Sequence, residues 1–110
     1  MKRKSYLMRA LLYIMITMMP FGVNARINMG TINLQVGETE KVYAEPSTYY
    51  TVSGSWSRTG GNAFYISARS QRSCQITAIN VGTATLEWEG LINTTWAEMY
   101  WTVIVSPEPN

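Results

Sequence analysis

Polar and apolar residues alternate one by one through short segments of the chain from Arg26 onward. The clearest segment is Thr83–Glu89, in which Ala84, Leu86 and Trp88 fall on one parity and only Thr or Glu falls on the other. Successive side chains of a β-strand point to opposite faces, so this alternation predicts a strand with one buried and one solvated face. No segment after Arg26 has apolar residues at the spacing of an amphipathic helix, and we therefore expect no helix there.

Seven segments of this kind follow one another, and Gly, Pro, Asn or Ser residues separate them. They run over Ile32–Val36, Lys41–Glu45, Val52–Ser57, Ala63–Ala68, Cys74–Ile79, Thr83–Glu89 and Ala97–Val105. Many short strands with frequent turn residues are typical of an all-β sandwich or a small barrel. Gly82 is expected to form the tight turn into the sixth strand, because a positive φ costs glycine little.

The inward parity of these strands predicts the core. Trp56 lies in the middle of a strand, and burying its ring would remove about 200 Å² from water, roughly 5 kcal/mol of gross transfer free energy. Cys74 is the only cysteine and shares the parity of Ile76, so a buried thiol is favoured over pairing with another chain. The residues expected to form the structural core are Trp56, Ile76, Leu86, Trp88 and Val103.

The first 25 residues have the three parts of a secretory signal peptide. Four basic residues lie among the first nine, an apolar run of about 14 residues follows over Ala10–Val23, and Val23-Asn24-Ala25 offers a signal peptidase small residues. We expect export and cleavage after Ala25. An uncleaved anchor is the alternative, but a spanning helix needs about 20 apolar residues. The rest divides into a lead-in over 26–31, a β-domain over 32–105 and a flexible tail over 106–110.

Cleavage would change the charge of the chain. The full sequence has nine basic and seven acidic residues, and four of the basic ones lie in the leader, which leaves a net charge of −2. No basic cluster remains, so neither nucleic acid nor an anionic membrane is expected as a partner. No apolar run after Ala25 is long enough for a membrane span.

The sequence contains no His and no Asp. A Ser-His-Asp triad, a His-based zinc site and an EF-hand loop are therefore excluded, and we expect no enzyme, no catalytic residue, no metal and no cofactor. Glu87 and Glu89 lie on the same strand face, about 7 Å apart. This distance would suit the two catalytic carboxylates of a glycosidase or a weak calcium contact. A solvated strand face is the favoured interpretation, because a small sandwich offers no deep cleft beside the pair.

Three aromatic residues have no parity argument for burial. Tyr49 and Tyr50 lie in the loop after Pro46, and Trp96 lies in the segment before the last strand. Exposed aromatic rings stack on sugar rings and anchor protein interfaces. These three residues are therefore the candidates for contact with a glycan or a protein at the cell surface. The alternative is a local cap over the core.

Five motifs occur in a familiar order: INLQVGET, SWS, AFYIS, CQITAINVGTATLEWE and MYWTVIV. In these motifs the chain resembles the bacterial immunoglobulin-like domains of group 2, which occur as repeats in intimin- and invasin-type surface adhesins. The resemblance implies an immunoglobulin-like β-sandwich of about seven short strands and a secreted, periplasmic or cell-surface location, without implying one ligand. Where the family usually has a Gly before the fifth strand, this chain has RSQRSC (Arg69–Cys74), so the resemblance predicts a looser hairpin there.

Two functional hypotheses follow. The first is a non-enzymatic binding or adhesion module that contacts its ligand through Tyr49, Tyr50 and Trp96. The second is a structural spacer or assembly subunit that joins partners by strand addition at an exposed edge, for which Ala97–Val105 is the candidate because it is long and poor in charge. Clustering of the three aromatic residues at one end would favour the first hypothesis, and inward packing would favour the second. No oligomeric state follows from these residues.

Overall fold

The computed structural model describes residues 26–108. The predicted leader, its cleavage site and the last two residues of the predicted tail lie outside the described residues. Seven strands form between residues 26 and 108, and none of these residues belongs to a helix that could cross a membrane. The strands are β1 (Arg26–Gln35), β2 (Thr39–Tyr43), β3 (Val52–Thr59), β4 (Phe64–Arg69), β5 (Ser73–Ala78), β6 (Gly82–Ile92) and β7 (Thr95–Ser106).

The strands form two sheets. The four-stranded sheet has the order β1-β7-β6-β3, and the three-stranded sheet has the order β2-β5-β4. β1 runs parallel to β7, and the other neighbouring pairs are antiparallel. This order matches the immunoglobulin fold, in which strands C, F and G share one sheet and strands B, E and D share the other. The prediction of an all-β, immunoglobulin-like sandwich of seven strands is confirmed.

Tryptophan rings fill the centre of the core between the two sheets. Trp56 of β3 lies opposite Trp88 of β6, and the Trp56 ring centroid lies 5.5 Å from that of Trp101 on β7. All five side chains expected in the core are buried, and Trp56, the most accessible of them, is only 3% exposed. The alternation along β6 and β7 thus supplies one wall of the core.

The connection between β4 and β5 is tightly bonded, in contrast to the looser hairpin predicted for RSQRSC. Ser70 N donates to Ser73 O at 2.7 Å. Two buried indoles also bond to this turn: Trp56 Nε1 donates to Ser70 O, and Trp88 Nε1 donates to Gln71 O, each at 2.9 Å. Buried indole N–H groups need hydrogen-bond acceptors. The carbonyl oxygens of Ser70 and Gln71 serve as these acceptors, and the two bonds hold the turn in place without a glycine.

β6 continues for two residues beyond Gly90, where the sequence pattern predicted its end. Gly90 lies opposite Gly54 of β3. A Cβ atom on Gly90 would collide with the backbone of β3, and a Cβ atom on Gly54 would collide with the Trp88 ring. The two glycines therefore allow close approach of backbone and indole inside a strand pair and do not terminate it.

β1 begins at Arg26, so residues 26–31, predicted as a lead-in, belong to the sandwich. Arg26 pairs with Glu98 of β7, and a bulge interrupts the register in the middle of the strand. Met29 and Leu34 are both buried although their numbers differ in parity. A bulge shifts parity by one residue, which is why simple alternation missed the first half of this strand.

Ala97–Val105, predicted as an exposed edge, lies within β7 between β1 and β6, and the prediction is wrong. Its low charge reflects the burial of every second side chain. The edge strands are β1 and β3 in one sheet and β2 and β4 in the other. Arg58 of β3 donates to Phe64 O on β4 at 2.9 Å, and Arg69 of β4 donates to Trp56 O on β3 at 3.2 Å. These bonds tie the β3 and β4 edges to each other.

Candidate binding surface

The β6–β7 hairpin and the β2–β3 loop meet at one end of the sandwich. The hairpin turns at Asn93, whose φ of 57° is a left-handed conformation that Asn tolerates. Thr51 N donates to Asn93 Oδ1 at 3.0 Å, and Asn93 N donates to Thr51 O at 2.7 Å. These bonds fix the loop with Tyr49 and Tyr50 beside the hairpin with Trp96. The three candidate residues therefore lie at the same end of the molecule.

Trp96 is the second residue of β7 and lies on the outer face of the four-stranded sheet, not in a loop as predicted. Trp96 is 49% exposed and lies opposite Leu91, which is 40% exposed. Trp96 Nε1 donates to Glu98 Oε2 at 3.0 Å, which orients the ring. The indole thus presents a fixed apolar surface to solvent.

The two tyrosines occupy different environments. Tyr49 is 87% exposed, whereas Tyr50 is half-buried and packs against the core. Their rings meet edge to face, with centroids 5.4 Å apart. Tyr50 therefore caps the core, as the alternative interpretation expected, and Tyr49 is open to contact with a ligand.

Arg72 holds the loop that carries the tyrosines. Its guanidinium donates to three carbonyl oxygens of the loop, those of Glu45 (3.2 Å), Ser47 (2.5 Å) and Tyr50 (2.6 Å). Within the loop, Tyr49 N donates to Ser47 Oγ at 3.1 Å. A planar guanidinium with several donors suits this position, because loop carbonyl groups have no strand ladder to satisfy them.

The outer face of the four-stranded sheet carries three glutamates. Glu87 accepts hydrogen bonds from Arg26 Nη2 at 2.9 Å and from Thr59 Oγ1 at 2.7 Å. Glu89 lies directly opposite Glu98 of β7, an arrangement in which like charges repel. Glu87 and Glu89, considered together from the sequence, therefore differ in their surroundings: Glu87 is bonded to Arg26 and Thr59, whereas Glu89 faces another carboxylate.

We call the side chains of Glu89, Leu91, Trp96 and Glu98 the hairpin surface. They form two adjacent cross-strand pairs, Glu89 with Glu98 and Leu91 with Trp96. Sequence reasoning missed Leu91 because it ended the strand at Gly90. It missed Glu98 because it paired carboxylates only within one strand, as Glu87 with Glu89, and not across two strands. Continuing the alternation past Gly90 would have placed Leu91 on the outer face.

The thiol of Cys74 is buried away from this surface. Burial raises its pKa from 9.0 to about 12, and the nearby positive charge of Arg69 lowers it by a smaller amount. A thiol with this pKa stays protonated near neutral pH and is a poor nucleophile. Between residues 26 and 108, no three His, Cys, Asp or Glu side chains are placed to hold a metal ion.

No family model matches the chain, and no curated protein matches it. Solved structures do match it in fold. A sialyltransferase from Photobacterium damsela has a TM-score of 0.57 and 15% identity, covering 74% of this chain and 18% of the sialyltransferase chain. The PKD domain of human KIAA0319 has a TM-score of 0.55 and 11% identity, covering 84% of this chain and 93% of that chain.

The TM-scores of 0.57 and 0.55 show a shared fold, and identities of 15% and 11% are too low to carry a ligand or an activity from one protein to the other. The chain corresponds to only 18% of the sialyltransferase, so it is similar to one part of that enzyme. It is similar to nearly the whole of the PKD domain, which agrees with one complete sandwich. The chain is therefore an immunoglobulin-like β-sandwich whose function has to be argued from its own surface.

Proposed function

We propose that this chain is an exported, non-enzymatic, immunoglobulin-like adhesion module that holds a glycan or a protein of the cell surface against the hairpin surface. The observation that carries the proposal is the Trp96 ring, which is half-exposed, bonded to Glu98 and flanked by Leu91. Covering such a ring is a large favourable term in binding. A ring that is already oriented also loses little freedom on contact.

The polar groups around the ring support the same proposal. The carboxylates of Glu89 and Glu98 lie one cross-strand pair away from Leu91 and Trp96. An apolar platform beside a few polar groups is the usual composition of a binding site, because the platform supplies affinity and the polar groups orient the ligand. Tyr49, on the loop bonded to the same hairpin, offers a further exposed ring.

The remaining parts of the proposal rest on the sequence. The lack of His and Asp removes the common groups of acid–base and nucleophilic catalysis, and the carboxylates of the hairpin surface lie on an open sheet face. The basic start, the apolar run and Ala25 support export. The VGTAT motif (Val81–Thr85) supports the group 2 surface type.

Tryptophan fluorescence tests binding at this surface, because Trp56, Trp88 and Trp101 are buried and Trp96 is not. Titration of the purified protein with polysaccharides, mucin-type glycans and purified extracellular-matrix proteins should change the emission saturably for one of them. The same ligand should shield Trp96 from quenching by acrylamide. Trp96→Ala should lose the response. Tyr65→Ala, which removes a 45% exposed ring from the other sheet, should keep it.

A response that survives Trp96→Ala would place binding elsewhere and contradict the proposal. Export has its own test. The intact mass of protein recovered outside the cytoplasm should correspond to residues 26–110, and a mass that includes the first 25 residues would contradict cleavage after Ala25.

One observation favours a second candidate function, assembly by strand addition at β2. Ala44 N donates to Arg72 O and Ala78 N donates to Glu38 O, so the even-numbered residues of this segment bond to β5. Antiparallel pairing alternates, which directs the N–H and C=O groups of Thr39, Lys41 and Tyr43 away from the sheet. No strand between residues 26 and 108 pairs with that side.

Amide hydrogen exchange tests this second candidate. If a partner strand is added at β2, protein recovered in its native envelope should exchange the amides of Thr39, Lys41 and Tyr43 more slowly than the purified protein does. Equal, fast exchange at these amides in both samples would rule out strand addition there.

A further inference from the structure

The outer face of the four-stranded sheet already contains one bound guanidinium. The Arg26 guanidinium lies over the Tyr100 ring, 4.8 Å from its centroid, and donates to Glu87 Oε2 at 2.9 Å. Glu87 and Tyr100 are a cross-strand pair of β6 and β7. An aromatic ring of β7 and a carboxylate of β6 therefore hold an arginine side chain on this face.

The hairpin surface offers the same kinds of group further along the same two strands: Glu89 lies two residues beyond Glu87 on β6, and Trp96 lies four residues before Tyr100 on β7. Here the ring faces Leu91, and the two carboxylates face each other. Trp96 supplies the ring on β7, Glu89 supplies a carboxylate on β6, and Glu98 supplies a second carboxylate between them. Trp96 Nε1 occupies one oxygen of Glu98. The Glu89 carboxylate makes no hydrogen bond or ion pair within residues 26–108. Among residues 26–108, no guanidinium bonds to the carboxylates of Glu89 and Glu98 or stacks on the Trp96 ring.

Charge favours a cation at this position. Among the side chains of residues 26–108, this face carries the carboxylates of Glu87, Glu89 and Glu98 and the guanidinium of Arg26, a residue that pairs in register with Glu98 and whose guanidinium is bonded to Glu87. Three other arginines of the chain, Arg58, Arg69 and Arg72, donate to backbone carbonyl groups elsewhere. Glu89 and Glu98 lie directly opposite each other, and like charges so placed are destabilising. A bound cation would relieve this repulsion.

We infer that the hairpin surface is a docking site for an arginine side chain on a protein partner. A guanidinium can stack on the Trp96 indole while its N–H groups donate to the carboxylates of Glu89 and Glu98. An ammonium group lacks the planar fork and is more strongly hydrated, so lysine fits the site less well. This inference rests on the proposed binding function and names the chemistry of the ligand.

The test uses three short probes on the purified protein: a tri-arginine peptide, a tri-lysine peptide and a tri-citrulline peptide. Citrulline keeps the shape of arginine and removes its charge. The readout is the indole N–H resonance of Trp96, assigned by its loss in Trp96→Phe. The tri-arginine peptide should shift this resonance saturably, the tri-lysine peptide should bind at least about fivefold more weakly, and the tri-citrulline peptide should cause no shift.

Charge-neutral variants locate the contact. The double variant Glu89→Gln, Glu98→Gln should lose the shift caused by tri-arginine. Glu108→Gln, which removes one negative charge outside the hairpin surface, should retain it. An equal affinity for all three peptides, or full binding by the double variant, would overturn the inference.

Arg26→Ala provides a second check, because it vacates the ring of Tyr100 and the carboxylate of Glu87. In this variant the tri-arginine peptide should perturb Tyr100 as well as Trp96, whereas in the unaltered protein it should perturb Trp96 alone. If the peptide has no effect at Tyr100 in the variant, a ring and a carboxylate on this face do not suffice to bind an arginine side chain, which would count against the inference.

Failure of this inference is distinguishable from failure of the proposed function. If a glycan changes Trp96 fluorescence and tri-arginine causes no shift, the surface binds its ligand by other chemistry: the inference is wrong and the proposed function stands. If a matrix protein binds and its binding is competed by tri-arginine but not by tri-citrulline, both are supported.

Discussion

Four tryptophans occupy two kinds of environment in this sandwich. Trp56, Trp88 and Trp101 are buried between the sheets, whereas Trp96 is half-exposed on the outer face. Trp101 and Trp96 belong to the same strand and differ only in parity. Residue type therefore becomes informative about binding only when it is combined with the parity and the bounds of a strand.

The buried thiol of Cys74 should make the stability of the fold depend on pH. Burial raises its pKa to about 12 in the folded protein, against 9.0 for an ordinary cysteine. The unfolded chain therefore loses this proton first as the pH rises. The contribution of the Cys74 thiol to the free energy of unfolding is fully present below about pH 9. It is lost between pH 9 and 12, by at most about 1.4 kcal/mol per pH unit.

Urea unfolding at several pH values between 8 and 11 measures this effect. The stability difference between the unaltered protein and Cys74→Ala should shrink as the pH rises, because the variant has no thiol to titrate. Because the two proteins differ only at residue 74, the contributions of all other groups cancel in the comparison. A stability difference that stays constant over this range would contradict the prediction.

At the scale of strands, Gly54 and Gly90 allow β3 and β6 to pack closely because neither residue has a Cβ atom between the two strands. A Cβ atom on Gly54 would meet the Trp88 ring and would lie 2.6 Å from Glu89 O. Gly54→Ala should therefore destabilise the protein by about 1–3 kcal/mol, the usual cost of overpacking a core. Urea unfolding measures the change. Ser55→Ala, at the neighbouring exposed position, should stay within about 0.5 kcal/mol, and equal effects of the two substitutions would contradict this account.

The β2–β3 loop depends on Arg72 in a way that can also be tested. Arg72→Lys replaces a guanidinium bonded to three carbonyl groups with a single ammonium. Because hydrogen bonds to charged donors contribute about 1.5–3 kcal/mol, the amides of Tyr49 and Tyr50 should exchange at least about tenfold faster. Arg58→Lys, which alters a bond to Phe64 O outside this loop, should leave both amides unchanged. Unchanged exchange in Arg72→Lys would show that other contacts hold the loop.

Alternation was sufficient to predict the seven strands and the inward faces of β5, β6 and β7, because each has an uninterrupted period of two. It failed where the backbone breaks that period. The bulge in β1 hid residues 26–31, and the close-packed Gly90 resembled a strand end.

The site was predictable only in part. Aromatic type and position outside the predicted strands identified Tyr49, Tyr50 and Trp96 as candidates, but their meeting at one end of the sandwich became evident only from the structure. The roles of Arg72 and Glu98 depend on contacts between segments distant in sequence, and no local pattern marks such contacts. The interior position of β7 likewise depends on which strands flank it, so a long run poor in charge was mistaken for an edge.

At the scale of the whole molecule, the sandwich is held by its core and its sheet ladders without a disulfide, since Cys74 is buried and unpaired. The thermal midpoint should therefore be the same with and without a reducing agent. Electrophoresis without reductant should show no cross-linked dimer, because the thiol is covered by the core. A dimer that disappears on reduction would contradict this prediction.

The parallel pairing of β1 with β7 has a mechanical consequence. Arg26 lies beside Glu98, and Ser106 lies beside Gln35 at the other end of the pair. A force that pulls the start of β1 at Arg26 away from the end of β7 at Ser106 therefore slides the two strands past each other along their length. The hydrogen bonds between the two strands are then loaded in shear. They share the force and have to break nearly together, whereas in an unzipping geometry they would break one after another.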